Sequence, residues 1–256
     1  MDPLVSVIMP AYRCAGTIGA AVDSVLCQQV PLELIVINDC SPDNVEEVLS
    51  AYRSDERVTV ITNEENMGAA KSRNRGVSLA RGKYVAFLDS DDCWTPGKLS
   101  AQVEVLEQTG SVLCCTAREL MTPDWQSTGK VLPVAETITY NDLLKHNSIA
   151  CSSVLLRADA AREFPMDHED SHEDYILWLR VLKKYGTARG INVPMLRYRL
   201  SNTGKSGSKL HSARMTFMVY RYMGFSLPKS IACFVSYAFN GVKKYYFARK
   251  GGRHEA

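Results

Sequence analysis

Short apolar runs in the first half of the chain alternate with stretches whose apolar positions recur every three to four residues. Leu4–Met9 is strand-like and is expected to stop at Pro10; Leu32–Asn38, Arg57–Ile61, Tyr84–Leu88 and Val112–Thr116 are further runs of strand-favouring types. Between them, Ile18, Ala21, Val22, Val25 and Leu26 share one helical face, and Val45, Val48, Leu49 and Tyr52 share another. Asn66-Met67-Gly68 marks a turn into a helix over Ala69–Ala80 that Gly82 closes, and a further helix runs from Pro96 to about Gln108. The strand runs are near-continuous in apolar character, as expected of strands buried on both faces. Strand and helix alternate five times, which predicts a doubly wound, mainly parallel α/β sheet.

The second half is less regular. Thr116–Ser148 reads as irregular segments with a short helix near Tyr140–His146. Ser152–Arg157 predicts a strand, Tyr175–Tyr185 a helix, and Thr187–Val193 and Leu196–Leu200 two separate strands. A Gly/Ser/Lys loop over Ser201–Ser208 leads into a helix carrying Arg214 and Arg221. In the segment after it, Ile231, Phe234, Val235, Ala238, Val242, Tyr245 and Tyr246 fall on one face of a helix, with Lys229, Ser236, Asn240 and Lys243 on the other. Its longest uncharged apolar stretch, Ile231–Phe239, falls short of the roughly 20 residues that span a bilayer. The pattern is that of an interfacial amphipathic helix, with a helix packed on the body of the protein as the rival reading.

Composition adds two points. A chain of 256 residues with 46% hydrophobic content supports one sizeable core with an appendage. The net charge of +2 conceals an asymmetry: residues 201–256 hold ten Lys/Arg against the single acid Glu255, and the rest holds twenty against twenty-seven Asp/Glu. A basic tail on an acidic body points to an anionic surface such as a membrane, and nothing points to nucleic acid. The eight cysteines lack metal-type spacing and, with no leader peptide evident, are expected to be reduced residues of a cytosolic protein.

The chemistry concentrates where Tyr84–Leu88 ends in Asp89-Ser90-Asp91-Asp92. A strand does not bury unpaired carboxylates, so these belong at its mouth, beside a cation or a solvated pocket. Ligands of open α/β sheets bind at that edge, and an oxygen-only donor set suits Mg²⁺ or Mn²⁺. The alternative is an acidic loop capping the next helix, with Asp92 or Thr95 as N-cap and Pro96 in its first turn. Two other strands end in polar clusters at the same edge, Pro10-Ala11-Tyr12 and Asn38-Asp39. A second acidic run, Asp167 to Asp174, precedes the helix at Tyr175, where the helix dipole alone favours acids.

Five stretches in order make the chain resemble the inverting family-2 glycosyltransferases of GT-A fold, bacterial surface-polysaccharide type: Val5–Tyr12, Ile35–Asp43, Asn63–Ala70 with Arg73 and Asn74, Tyr84–Asp92, and His172–Arg180. The resemblance implies a GT-A catalytic domain over 1–200, with a nucleotide-binding half at 1–116 and an acceptor half at 117–200. Residues 201–256 would then be a basic loop and membrane-associating helices. It implies that Pro10, Ala11 and Tyr12 line the nucleotide pocket, that Asp39 accepts from the uracil ring nitrogen, and that Arg73 lies near the base or diphosphate. Asp89, with Ser90, would face the ribose or sugar, Asp91 would ligate Mn²⁺ or Mg²⁺, and Asp174 would be the catalytic base. Lys205, Lys209 and His211 are second candidates, the lysines for the diphosphate and His211 for the metal; the rival reading makes them a solvated basic face. Asn38 departs from the pattern, since many relatives carry a first Asp there. The implied reaction moves a sugar from a UDP-sugar to a hydroxyl of a lipid-diphosphate-linked saccharide, as in O-antigen-type synthesis, on the inner face of the cell membrane. A nucleotidyltransferase and a non-catalytic nucleotide-sugar-binding module remain the alternatives.

Overall fold

The computed structural model describes residues 2–200 and 209–250, the side chains of Lys209 and of residues 241–250 excepted. In chain order the elements are β1 (Val5–Ala11), α1 (Ile18–Leu26), β2 (Leu32–Asn38), α2 (Val45–Ser50), β3 (Val58–Thr62), α3 (Ala69–Leu79), β4 (Tyr84–Phe87), β5 (Cys93–Trp94) and α4 (Lys98–Thr109). There follow β6 (Leu113–Met121), β7 (Ser127–Leu132), β8 (Thr137–Ile138), α5 (Tyr140–Lys145), β9 (Leu155–Arg157), α6 (Ala158–Glu163), α7 (Glu173–Tyr185), β10 (Ala188–Arg199), α8 (Lys209–Tyr222) and α9 (Leu227–Lys250). One sheet runs through both halves in the order β3-β2-β1-β4-β9-β6-β10-β5, with β7 on β6 and β8 on β10. β3, β2, β1 and β4 are parallel, β9 is antiparallel to both its neighbours, and β10 is parallel to β6.

The sheet separates two cores, which is why its inner strands are near-continuously apolar, with Ser6 of β1 and Glu33 of β2 buried among them and hydrogen-bonded to each other. On β1, Val5, Val7 and Met9 face one core and Ile8 the other; on β4, Tyr84 and Ala86, with Leu88 just beyond the strand, oppose Val85 and Phe87. The first face is covered by α1, α2 and α4 through Ile18, Val22, Val45, Leu49 and Leu99, the second by α3, α6 and α7 through Val77, Ala160, Ile176 and Trp178. Each such aliphatic side chain contributes about 1.5–3 kcal/mol when fully buried.

Pro10 does not end β1 as expected; the strand continues to Ala11, paired with β2. The reason lies in the register. Ile8 O accepts from Leu88 N, while Ala11 O accepts from Asp39 N, so Pro10 faces the side where β4 has already ended and its missing N–H costs no ladder bond. Gly82 is likewise not a left-handed helix cap. A Cβ there would lie 2.7 Å from Ser6 N and 2.9 Å from Val5 C, so the residue is small because the chain crosses β1 in contact with its backbone. Gly82→Ala is therefore expected to destabilise the fold by about 1–3 kcal/mol, measured by denaturant unfolding; an unchanged midpoint would refute the contact argument.

The expected pair of strands after Thr187 is one strand, β10, whose register shifts around Pro194 absorb the missing donor as a bulge. Part of the expected irregular region is the hairpin of β6 and β7, turned at Trp125 with φ 61°. At the C-terminus, α8 buries Met215, Thr216, Val219 and Tyr220 against the body, and Gly224 (φ 77°) turns the chain into α9. α9 is both packed and exposed. Ser230 is buried and Tyr237 joins the second core, whereas Ile231, Val235 and Phe239 stand outward at 49, 60 and 71% exposure. Phe234, grouped with Ile231 and Val235 in the sequence pattern, meets Phe217 of α8 edge-on at 6.0 Å. Among the described residues, no helix is long and apolar enough to cross a membrane.

Candidate active site

Three strands deliver polar residues to one edge. Beyond β2, Asp39 is 3% exposed and its carboxylate organises the loop before α3. Oδ1 accepts from Asn63 Nδ2 at 2.6 Å and Met67 N at 2.8 Å, and Oδ2 from Gly68 N at 2.8 Å. A carboxylate offers about four acceptor sites, so one remains on Oδ2. Next to it, at the end of β1, Pro10 is half-buried, Ala11 buried and Tyr12 exposed, with the Arg13 guanidinium over the Tyr12 ring at 5.3 Å.

Beyond β4 the acidic loop turns under the sheet edge. The Asp89 N–H donates to Ser152 Oγ at 3.1 Å, and its carboxylate takes a 2.5 Å hydrogen bond from Arg73 Nη2. Arg73 comes from α3, is 6% exposed, and reaches Glu173 Oε1 with Nη1 at 3.2 Å. One buried guanidinium thus joins the Asp89 loop to the first turn of α7, where Asp174 lies; burial works against its charge, and the Asp89 and Glu173 carboxylates outweigh that and hold it firmly charged. Ser90 is buried and Asp91 half-buried. Burial and the Asp89 carboxylate push Asp91 above the usual carboxylate range. Burial, Asp89 and Asp91 push Asp92 up much further. Asp92 Oδ1 accepts from Arg199 N at 3.0 Å, while Oδ2 is buried without a partner.

Asp92 and Thr95 do not cap α4; its N-cap is Gly97, with φ 82°. The helix-cap explanation of the acidic loop therefore fails, and the crowding of three carboxylates is left to account for. Their all-oxygen donor set, mutual repulsion and orphaned Asp92 oxygen fit a hard divalent cation. Among the described residues no group of three His/Cys/Asp/Glu side chains is arranged to hold a metal by itself, so such an ion would share its shell with ligand oxygens and water.

Asp174 lies within the first turn of α7, which begins two residues before the expected Tyr175, and its Oδ1 accepts from Tyr175 N at 2.8 Å. Burial and the adjacent Glu173 raise its pKa, opposed by His172 and Arg73. Several residues here carried no sequence signal. Ser152 and Cys151 arrive between α5 and β9, and Arg118 projects from β6 with its guanidinium 5.7 Å from the Tyr198 ring, attracted by Asp92 and Asp174. Only the sheet order, which sets β9 beside β4 and β6 beside β10, brings them in.

The second-rank residues lie elsewhere. Lys205 and the Lys209 side chain fall outside the described residues. His211 lies exposed on α8, in a groove with Phe217 and Phe234. The other end of α8 is close to the acidic run. Tyr222 stacks on His168 with centroids 3.6 Å apart and planes 3° apart, and donates to Asp170 Oδ2 at 2.6 Å. Tyr222→Ala is expected to loosen the segment leading to Asp174, raising the acceptor KM about three- to tenfold, the worth of one aromatic contact, with kcat little changed. A steady-state KM equal to wild type would show that this clamp is incidental.

Residues 6–163 match glycosyl transferase family 2. The chain is 40% identical over 245 residues, 94% of its length and 97% of the relative's, to TuaG of Bacillus subtilis (strain 168), a glycosyltransferase named for teichuronic acid biosynthesis. It is 34% identical over 252 residues, 98% of its length and 99% of the relative's, to WfaP of Escherichia coli, a UDP-Glc:α-D-GlcNAc-diphosphoundecaprenol β-1,3-glucosyltransferase. Its fold is similar to that of Staphylococcus aureus TarS 1–349 in complex with UDP-GlcNAc, at TM-score 0.73 and 17% identity over 93% of this chain and 72% of that one. It is also similar to the mannosyltransferase PcManGT of Pyrobaculum calidifontis in complex with GDP-Man and Mn²⁺, at TM-score 0.68 and 18% identity over 93% and 70%. The protein belongs to glycosyl transferase family 2 and has the GT-A fold.

Proposed function

We propose that the protein moves a sugar, with inversion, from a UDP-sugar to a hydroxyl of a lipid-diphosphate-linked saccharide. The observation that carries this reading is the buried bridge from Asp89 through Arg73 to Glu173, which couples a carboxylate-rich donor edge to the turn bearing Asp174. Family membership displaces the nucleotidyltransferase alternative. The 34% identity to WfaP over nearly the whole of both chains supports the UDP-linked donor and the lipid-linked acceptor.

In this reading the free site on Asp39 Oδ2 accepts the uracil N–H, and Pro10, Ala11 and Tyr12 form the wall against the base. Asp89, held by Arg73, faces the ribose or sugar beside Ser90. Asp91 would hold Mn²⁺ or Mg²⁺, which when bound would supply positive charge to offset that of the leaving diphosphate. Asp174 takes the proton of the acceptor hydroxyl as that oxygen bonds to the anomeric carbon and the bond to the diphosphate breaks. A single displacement needs one base and inverts the centre. Residues 1–116 then serve the donor and 117–200 the acceptor. Lys205, Lys209 and His211 stand as candidates for the diphosphate and metal from the following segment.

The outward stripe of Ile231, Val235 and Phe239, on a segment free of acids, supports contact with an anionic membrane at the inner face of the cell. Because Tyr237 belongs to the core, deleting α9 would unfold more than the contact. Val235→Ser with Phe239→Ser tests it instead: co-sedimentation with phosphatidylglycerol vesicles should fall while the melting temperature holds. Sedimentation equal to wild type would remove the membrane from the proposal.

The reaction itself is tested with UDP-Glc, UDP-Gal, UDP-GlcNAc, UDP-GalNAc and UDP-GlcA against a GlcNAc-diphospho-lipid acceptor, with NMR of the product linkage. One UDP-sugar should be consumed and its anomeric configuration inverted. A retained configuration, or turnover confined to sugars on other nucleotides, would overturn the assignment.

A further inference from the structure

We propose that the groove between α8 and α9 holds the hydrocarbon chain of the lipid carrier on which the acceptor is built; this rests on the lipid-linked acceptor of the proposed function. The groove is about 640 Å³ and is lined by Leu210, His211, Ala213, Arg214, Phe217 and Phe234. That volume falls within the roughly 300–1,000 Å³ of small-molecule sites. Its wall is apolar: Leu210 is 83% exposed, and Phe217 and Phe234 meet edge-on to form the floor. The fixed charge among its lining residues is positive. Arg214 stands exposed at the rim beside His211, and residues 201–254 contain no Asp or Glu. An apolar channel edged by Arg214, with no acid in its lining, complements an amphiphile that joins a long hydrocarbon to a phosphate.

The position of α8 argues for the acceptor's carrier over bulk lipid. Leu210, Ala213, Arg214 and Phe217 occupy one face of α8, at the spacing of successive turns. The opposite face, Met215, Val219 and Tyr220, is buried in the body. Tyr220 Oη donates to Leu144 O at 2.9 Å and lies 3.5 Å from Tyr175 Oη, the neighbour of Asp174, and Tyr222 clamps His168 and Asp170. A chain seated on α8 is therefore carried by the helix that abuts the Asp174 turn. Bulk lipid has no need of that connection, whereas an acceptor must present its saccharide to the base.

The test is photolabelling of the full chain with a diazirine-bearing farnesyl diphosphate, with labelled peptides mapped by mass spectrometry. Label should fall on the α8 and α9 peptides carrying Phe217 and Phe234. Farnesyl diphosphate should compete with it, inorganic diphosphate should not, and phosphatidylglycerol bicelles should compete only weakly. Ala213→Trp, which fills the groove, should cut labelling about tenfold, equivalent to losing the burial of roughly two methylene groups. Arg214→Gln should cut it severalfold and Arg214→Lys should restore it; as Arg214 is exposed, these variants keep the inference testable if Ala213→Trp misfolds. Label confined to the acidic edge near Asp91, equal competition by phosphatidylglycerol, or indifference to both Ala213→Trp and Arg214→Gln would overturn the inference. Labelling needs no turnover. Transfer to a lipid-linked acceptor without groove labelling sinks this inference alone, whereas failure of transfer with every donor sinks the proposed function whatever the label shows.

Discussion

Asp174→Asn is expected to keep the fold and bind a UDP-sugar while losing transfer by about 10²–10⁴-fold, the range for a missing general base. The substitution is nearly isosteric, and an Asn Oδ1 still accepts from Tyr175 N as the carboxylate does. What it removes is the capacity to take a proton. Titration supplies a second readout. Burial and Glu173 hold the Asp174 carboxyl above its ordinary range, so the wild-type rate should fall with decreasing pH at a higher pH than an unperturbed aspartate would give. The same shift fixes a stability sign. A carboxyl whose folded pKa is raised contributes stability below its unfolded pKa and loses that contribution as pH rises through the folded value. At neutral pH the charged group is a burden, so the Asn variant should melt at or above wild type, with the difference closing under acid. Retained transfer, with weakened UDP binding instead, would move Asp174 from the acceptor side to the donor side.

How much of this was legible in the sequence follows from where burial is two-sided. β1, β2 and β4 read as near-continuous apolar runs because a core lies on each face, and the polar residues that end them are the ones that meet at the sheet edge. The β6–β7 hairpin escaped notice because β7 is largely exposed and holds Ser127, Thr128 and Lys130, with no apolar alternation to mark it. β10 read as two strands because Pro194 cannot donate to a ladder; a bulge, which depends on the partner strand, resolves that. At the site, Asp39, Asp89, Asp91 and Asp174 stood out through motif and strand position. Cys151, Ser152, Arg118 and Tyr198 did not, since they reach the acidic loop across neighbouring strands and no local spacing records such contacts. Asp39 also does more than the motif implied. Three of its acceptor sites are spent on Asn63, Met67 and Gly68, so its loss should collapse the loop before α3 as well as the base-reading position.

Asp91→Ala and Asp89→Ala should fail in different ways, and the contrast tests the division of labour at the acidic edge. Asp91 is half-buried, makes no ion pair among the described residues, and is pushed up by burial and by Asp89. Removing it relieves repulsion within the loop, so the unliganded Asp91→Ala protein should be as stable as wild type at neutral pH, or more so. If Asp91 holds the divalent ion, the variant should lose transfer by about a thousandfold, as expected when several kcal/mol of charge stabilisation disappear. The further rise in melting temperature that Mn²⁺ adds to UDP should vanish with it. Asp89 has the opposite character. It anchors the buried Arg73 guanidinium, whose Nε already lacks a partner, and its loss leaves Arg73 with Glu173 as its remaining carboxylate. Asp89→Ala should therefore lower stability by about 1–3 kcal/mol, the cost of an unsatisfied buried group, and weaken donor binding even where metal is saturating. Thermal melts of both variants with UDP, with and without Mn²⁺, separate the two outcomes. A destabilised Asp91→Ala that still responds to Mn²⁺, beside a stable Asp89→Ala that does not, would exchange the two roles and make Asp89 the metal ligand.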